Sequence, residues 1–403
     1  MIGLNYSPEP NGIAPYTAGL ATGLTARGWA VHVCAAVPHY PQWKAYDGYS
    51  SGLTVENLNG VHVRRIHPYI PQKPTGLKRL AMEITFGIGA VFSRWNRPDV
   101  VVLVSPALFS TAIAMLRAKL SPSRPRVAIW VQDLYSAGVS ETGAMGTSGA
   151  RLMAWAESAI LRRADAVVVI HERFRRTVAS KLNVKEARIS VVRNWTHIAH
   201  IAVNRAEFRS KLGWGEEIVV LHAGNMGAKQ ALENVVEAAR AADIQQAKIR
   251  FVLLGDGNQR ESLRRLAVGI NRIDFMDSLG DRDFQGAMAA ADILLVNEKE
   301  GVAEMAVPSK LTSYFAAARP VLAATDSGSI TAEEIEAAGA GVRVNAGDPT
   351  LLLEAALRLG SDPTLMQLLG ASGAAFQRST LSPDVAISHY ADMITSLEMT
   401  RGH

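Results

Sequence analysis

The sequence predicts an α/β protein built from two doubly wound, parallel-sheet domains, and three observations carry that reading. Short apolar runs alternate with helical patterns along most of the chain, as repeated βαβ units require. Asp99, Asp165 and Asp292 each stand just before a run of Val, Ile or Leu, so one local unit recurs in both halves. A length of 403 residues suits two domains, each able to bury a core.

Taken in order, the elements begin with "MIGLNYSPEPNG", which supplies only a few strand residues before its turn. A central strand ordinarily has about five or six. Either this strand is short or the chain starts downstream of the natural initiator. A helix with Leu20 and Leu24 on one face follows, then the candidate strands "VHVCAA", "DVVVLVS", "RVAIWVQ", "DAVVVI" and "ISVV". The uncharged run from Val100 to Leu116 approaches the length of a membrane span, but Ser105-Pro106 breaks it into strand, turn and helix. A seam after "SVVRNWTHIAHI" separates an N-terminal domain, 1–198, from a C-terminal one, 199–381. The latter offers "EIVVLHAG", "KIRFVLLG", "DILLVN" and "PVLAA". Residues 382–403 form a closing helix started by Ser382 and Pro383, expected to pack back towards the N-terminal domain. Two such domains facing each other would place strand C-termini, and ligands, at the cleft between them.

Composition narrows the function classes. With 48% hydrophobic and 20% charged residues the chain is globular rather than disordered. Its one cysteine, Cys34, lies in an apolar strand run and gives no disulfide framework, which fits a reducing, cytoplasmic setting. No charged start followed by an apolar stretch is visible at the N-terminus. Residues 1–200 hold 23 Lys/Arg against 11 Asp/Glu, whereas the remainder hold 19 against 26. The basic half therefore faces something anionic, or is simply a basic surface. Nucleic acid is disfavoured, because neither a basic recognition helix nor an aromatic-and-basic sheet is present. An anionic membrane surface or a phosphorylated lipid fits better.

Three turns have the residue types of an anion site. In "SPEPNGIAPYTAGL", Gly12 permits close backbone approach, although the spacing is not that of a dinucleotide fingerprint. In "LHAGNMGAKQALENVVEAAR", Gly224 and Gly227 precede a helix and Lys229 offers a cation, with a solvated surface lysine as the alternative. In "VPSKLTSYFAAARPVLA", Leu311, Tyr314, Phe315 and Ala318 mark a buried helix face, with Ser309 and Ser313 opposite. The N–H groups of Ser309, Lys310 and Leu311 and the Lys310 ammonium would suit a diphosphate. Two lysine-bearing anion sites in one domain favour a diphosphate-linked ligand.

These motifs, with "PHYPQW", "WVQDLYSAG", "VVRNW" and "LLGDGNQRESL", resemble the family-4 retaining glycosyltransferases of the GT-B fold. More narrowly they resemble fucosyltransferase-like enzymes of colanic-acid-type exopolysaccharide assembly. The resemblance implies that Gly12 approaches the donor diphosphate, that Lys229 is the phosphate-binding lysine, and that the Pro308–Leu311 segment holds the distal phosphate through backbone amides. The family's arginine falls at Asn225, so one positive charge is missing, and Lys310 is a candidate to restore it. The family's two glutamates fall at Met305 and Ser313. Ser313 would offer the ribose a neutral hydrogen bond, and Glu304 is a candidate substitute for the first acid. Asp133 occupies the region that faces the transferred sugar, where a carboxylate could orient the acceptor or stabilise developing positive charge. A helix-capping aspartate is the alternative.

The function implied is transfer of a sugar, with GDP-fucose as the best single donor, to a lipid-diphosphate-linked or polysaccharide acceptor, with retention. No metal is expected, the nucleotide sugar being a substrate rather than a cofactor. The basic N-terminal half fits docking on the inner face of the cytoplasmic membrane. There "TGLKRLAMEITFGIGAVFSRWNRP", with Phe86, Phe92 and Trp95, would lie in the interface or else serve as a core helix. A nucleotide-sugar epimerase of the same fold and a non-catalytic nucleotide-sugar-binding scaffold are the competing readings.

Overall fold

The computed structural model describes residues 1–10, 12–49, 54–136, 146–196, 203–301 and 310–400. The chain divides into two compact units, one of Met1–His197 with Pro383–His403, the other of Ile198–Ser382.

The first unit is built on an eight-stranded sheet in the order β3-β4-β2-β1-β5-β6-β7-β8. Its strands are β1 (Ile2–Gly3), β2 (His32–Ala36), β3 (Thr54–Leu58), β4 (Val61–Ile66), β5 (Val100–Ser105), β6 (Arg126–Val131), β7 (Ala166–Val169) and β8 (Ile189–Val191). All neighbours are parallel except the β3–β4 hairpin. That hairpin is absent from the sequence-derived strand set. Its signal was the Asn59-Gly60 dipeptide, whose φ angles of 53° and 83° are those of a tight two-residue hairpin turn. β1 is short but central, with Ile2 opposite both Cys34 and Leu103. Beside it, at the N-terminal ends of β2 and β5, lies a cavity of about 490 Å³ lined in part by Leu24, Val31, Trp95 and Ile394.

The closing helix Pro383–Met399 belongs to this unit. Tyr390 packs on Trp130 with ring centroids 5.1 Å apart, and Arg27 pairs with Asp384 at 3.1 Å. Gly23 makes the approach possible, since a Cβ there would lie 2.2 Å from Ile387 Cδ1.

The second unit carries six parallel strands in the order β11-β10-β9-β12-β13-β14. They are β9 (Ile218–Ala223), β10 (Ile249–Leu254), β11 (Ile273–Met276), β12 (Ile293–Asn297), β13 (Val321–Ala324) and β14 (Gly341–Val344). Central β9 is buried on both faces: Val219, Leu221 and Ala223 pack with Tyr314 and Phe315, whereas Val220 packs with Val235, Val236 and Leu352. The edge strands β11 and β14 escape a search for apolar runs because they are short, half-buried and carry Asp274 and Arg343.

Two of the three recurring aspartates have a structural explanation. Asp165 Oδ2 accepts from Val127 N–H at 2.8 Å and Asp292 Oδ2 accepts from Val219 N–H at 2.9 Å. Each carboxylate satisfies the first free amide of the neighbouring strand, and each is paired to arginine, Arg126 or Arg209. Among the described residues no helix is long and apolar enough to cross a membrane.

Candidate functional site

The second unit gathers its polar residues at the C-terminal ends of β9, β10 and β12. β9 runs out into Gly224, whose φ of +128° suits glycine. The loop that follows is bonded to the loop after β10: Gly224 N–H donates to Leu254 O and Met226 N–H to Asp256 O, both at 2.8 Å. Glycine is required on the far side too. A Cβ on Gly255 would lie 2.2 Å from Gly224 O, and one on Gly257 would lie 2.4 Å from Met226 O. The "GNMG" and "GDG" turns are therefore one nested backbone surface.

Lys310 is brought onto this surface by the helix Lys310–Ala316. Tyr314 fixes that helix: its buried hydroxyl accepts from Ala223 N–H at 2.8 Å and donates towards Leu295 O at 3.2 Å, tying the helix to β9 and β12. One turn earlier, the half-buried Lys310 side chain passes over Gly224, with Nζ 3.8 Å from the point where a Cβ would stand. The ammonium also lies 3.4 Å from Nε2 of His222, which is fully buried. Burial pushes the Lys310 pKa down to about 8, and the Glu298 carboxylate opposes that shift. Burial, and then the Lys310 cation, hold His222 well below its usual range, so the imidazole is neutral.

Two further residues shape the site. Asn297, at the end of β12, donates to Gln230 O at 2.8 Å and Ala231 O at 3.0 Å and accepts from Asn234 at 2.8 Å. It thereby holds the turn Ala228–Gln230 that carries Lys229. Glu298 accepts from the hydroxyls of Thr325 and Thr331. His222, Asn297 and Glu298 are missing from the sequence-derived site. A polar residue at the end of an otherwise apolar strand was the available signal, in "VVLHAG" and "LLVNE".

The predicted residues distribute as follows. Gly224, Lys310 and the turn bearing Asn225, Gly227 and Lys229 lie together. Asn225 and Lys229 are exposed, and the Lys229 carbonyl accepts from Lys299 N–H at 2.8 Å. Ser313 is half-buried; the Leu311 side chain is in the core, leaving only its backbone for a ligand. Ala318 is not on the buried face, because the helix ends at Ala316 and Ala318 is exposed at φ +53°. Glu304, Met305, Pro308 and Ser309 lie outside the described residues.

Gly12 and Asp133 belong to the first unit. Gly12 is exposed at φ +66° in the loop after β1, and Asp133 is half-buried in the loop after β6. Both loops are held by buried carboxylates that the motif reading passed over. Glu9 accepts from the N–H groups of His39 and Tyr40, each at 2.8 Å, joining the "SPEP" and "PHYP" turns. Glu157 accepts from Tyr135 N–H at 2.8 Å and Ser136 N–H at 3.0 Å. Gln132 pairs with Asn194, and Trp130 stacks on Trp195, so "WVQD" and "VVRNW" are adjacent.

The helix Gly76–Phe92 is apolar on two sides. Met82, Phe86 and Ala90 enter the core, whereas Leu77, Ile84, Ile88 and Phe92 are exposed, Leu77 and Phe92 by more than 80%. Phe86 is therefore a core residue. Trp95 closes the helix, donating to Ala90 O at 2.9 Å beneath the Arg117 guanidinium. On the buried side, Glu83 accepts from Phe109 N–H at 3.0 Å, and burial lifts its pKa to about 7.

Comparison with known proteins identifies this architecture. The chain matches the family model for a glycosyl transferase 4-like domain over residues 11–195 and that for glycosyl transferases group 1 over 217–362. It is 31% identical over 331 residues, 78% of this chain and 80% of the relative, to an Escherichia coli (strain K12) protein named as a colanic acid biosynthesis glycosyl transferase, WcaI. Among solved structures, sucrose-phosphate synthase from Thermosynechococcus elongatus superposes with a TM-score of 0.73 at 17% identity, covering 99% of this chain and 98% of that one. Anabaena HepE, solved in complex with UDP-glucose, gives 0.67 at 14% identity, covering 98% and 99%. The chain belongs to the glycosyltransferase family that joins a glycosyl transferase 4-like domain to a group 1 domain, and its fold is GT-B.

Proposed function

We propose that this glycosyltransferase moves a sugar from a nucleoside-diphosphate donor to a lipid-diphosphate-linked saccharide during assembly of an exopolysaccharide or envelope glycan. The observation that carries the reading is the Lys310 ammonium above the Gly224 turn, at the C-terminal edge of the second sheet. A glycine turn opens the backbone to a diphosphate and a half-buried cation offsets its charge. Lys229, on the neighbouring turn, supplies further positive charge. With Asn225 where the family keeps arginine, Lys310 takes over that role, and the reading requires no metal. Ser313 meets the ribose through a neutral hydrogen bond. GDP-fucose is the first donor to test; HepE, crystallised with UDP-glucose, makes that nucleotide sugar the second.

Retention in this reading needs no nucleophilic carboxylate: the acceptor attacks the face the leaving diphosphate departs from, and the diphosphate takes the acceptor proton. For Asp133 this reading keeps the role of steadying the positive charge that develops on the transferred sugar. The name of the E. coli relative supports a polysaccharide-assembly role. The exposed Leu77, Ile84, Ile88 and Phe92, with Lys78, Arg79, Arg94 and Arg97 nearby, support docking of the first unit on an anionic membrane surface.

Thermal-shift and hydrolysis measurements with GDP-, UDP- and dTDP-sugars test the donor site. A bound donor at a hundredfold excess over Kd adds about 2.7 kcal/mol of stability. No shift with any of them sinks the assignment. Binding without hydrolysis or transfer to lipid acceptors would favour the non-catalytic scaffold, the alternative that the missing glutamate at Ser313 favours. Vesicle sedimentation tests the membrane face: neutralising Lys78, Arg79, Arg94 and Arg97 should release the protein from anionic vesicles, and unchanged partitioning refutes docking.

A further inference from the structure

We propose that His222 is a positioning residue, a neutral acceptor that holds the Lys310 ammonium over the Gly224 turn as the second cation of the donor-diphosphate site. The inference rests on the donor-site reading above and adds a residue to it.

His222 is the anomaly of β9. It is fully buried in a strand whose other members are Ile218, Val219, Val220, Leu221 and Ala223. Burying an imidazole costs free energy unless it makes a hydrogen bond. Its Nε2 has two polar neighbours, Lys310 Nζ and the Asn225 carbonyl oxygen, each at 3.4 Å. An ammonium can only donate and a carbonyl oxygen can only accept, so the two neighbours ask for opposite tautomers; accepting from Lys310 is the role of a bare Nε2, with the ring proton on Nδ1. Nδ1 makes no hydrogen bond of ordinary geometry, and the ring's other partners are the backbone groups of Asn225 and Leu295, so among the described residues Lys310 is the side chain that His222 engages.

The chemistry suits a diphosphate. A carboxylate in this position would hold Lys310 but cancel its charge and repel phosphate. A neutral imidazole orients the cation and leaves its full charge to the ligand. The contact is longer than the usual hydrogen bond, so the ammonium is readily surrendered to phosphate oxygens. The other charged group acting on Lys310 is Glu298, which is held by Thr325 and Thr331. Within the helix itself, the Tyr314 hydroxyl is committed to the strand backbone. His222 is thus the only one of these that holds the cation without neutralising it.

The experiment measures GDP and UDP affinity by calorimetry from pH 6.5 to 9 for the wild-type chain, His222→Phe and His222→Gln. The Phe variant should bind about tenfold more weakly at pH 7 and lose affinity at a lower pH than wild type, because its Lys310 gives up the proton earlier. The Gln variant retains an acceptor and should restore both. A Phe variant with wild-type affinity and pH profile overturns the role of His222. Failure of the wild type to bind any nucleoside diphosphate overturns the donor-site reading instead. Should the Phe variant not fold, nitrogen NMR of histidine-labelled wild type decides. A protonated Nδ1 with a bare Nε2 on His222 supports the proposal; the opposite tautomer, or an imidazolium, refutes it.

Discussion

Lys310→Met gives the sharpest test of the electrostatics at the nested glycine turns. Methionine matches the length and flexibility of the lysine stem, so the change removes charge while keeping most packing. The folded-state pKa is lowered from 10.5 to about 8, chiefly by burial. At about 1.4 kcal/mol per pH unit, that shift corresponds to a destabilisation of about 3 kcal/mol while the group is charged. Loss of the contact with His222 returns about 1 kcal/mol, leaving a net gain of about 2 kcal/mol for the Met variant at pH 7. The sign follows from proton counts. Between the folded and unfolded pKa values the unfolded chain binds more protons, so wild-type stability rises with pH from about 8 to about 10.5. The advantage of the Met variant should therefore be full at pH 7 and largely gone by pH 10. Urea unfolding of the full chain at both pH values provides the measurement. The unfolding transition of the second unit can be followed at Trp214, which is that unit's single tryptophan. A stability difference independent of pH would refute the argument, as would a Met variant less stable at pH 7. The same variant should lose donor affinity, so stability and binding move in opposite directions.

Glu83→Gln should behave as the acidic counterpart. The carboxyl is lifted to about 7, so its contribution to stability is full below about 4.5 and is lost as pH rises through 7; the Gln variant should match wild type at pH 4.5 and exceed it by a few kcal/mol, of order 2–3, at pH 8 in denaturant titrations. Asn297→Ala leaves the Gln230 and Ala231 carbonyls and Asn234 without their partner and should cost about 1–3 kcal/mol, with weaker nucleotide binding as the Lys229 turn loosens. Calorimetry alongside urea unfolding checks both effects. Gly255→Ala sets a Cβ 2.2 Å from Gly224 O at a φ of +128°, and should lower soluble yield and unfolding midpoint; a variant of wild-type stability would show the two turns are free to separate.

Most of the architecture was legible because buried parallel strands advertise themselves. β5, β6, β9, β10 and β12 are continuous apolar runs with glycine or polar residues at their ends. β3, β4, β11 and β14 were not: β3, β11 and β14 are edge strands with side chains suited to water on one face, and β4 is interrupted by His62, Arg64 and Arg65. In the candidate site, glycines and lysines could be read from spacing, since φ and charge are properties of single residues. His222, Asn297 and Glu298 could not, because their significance comes from partners 63 to 88 positions away or across the sheet. Sequence pattern shows which residues share a face, not which two loops meet beyond the strand ends.

The Tyr314 hydroxyl has a consequence for how this scaffold can diversify. Lys310 owes its place to a bond between Tyr314, one turn further along the same helix, and the strand backbone. That bond joins one hydroxyl to main-chain groups of β9 and β12, so it is indifferent to what stands at position 310. The same mount can present a different side chain to the Gly224 turn, and exchange at this one position is a route to altered charge there on an unchanged sheet.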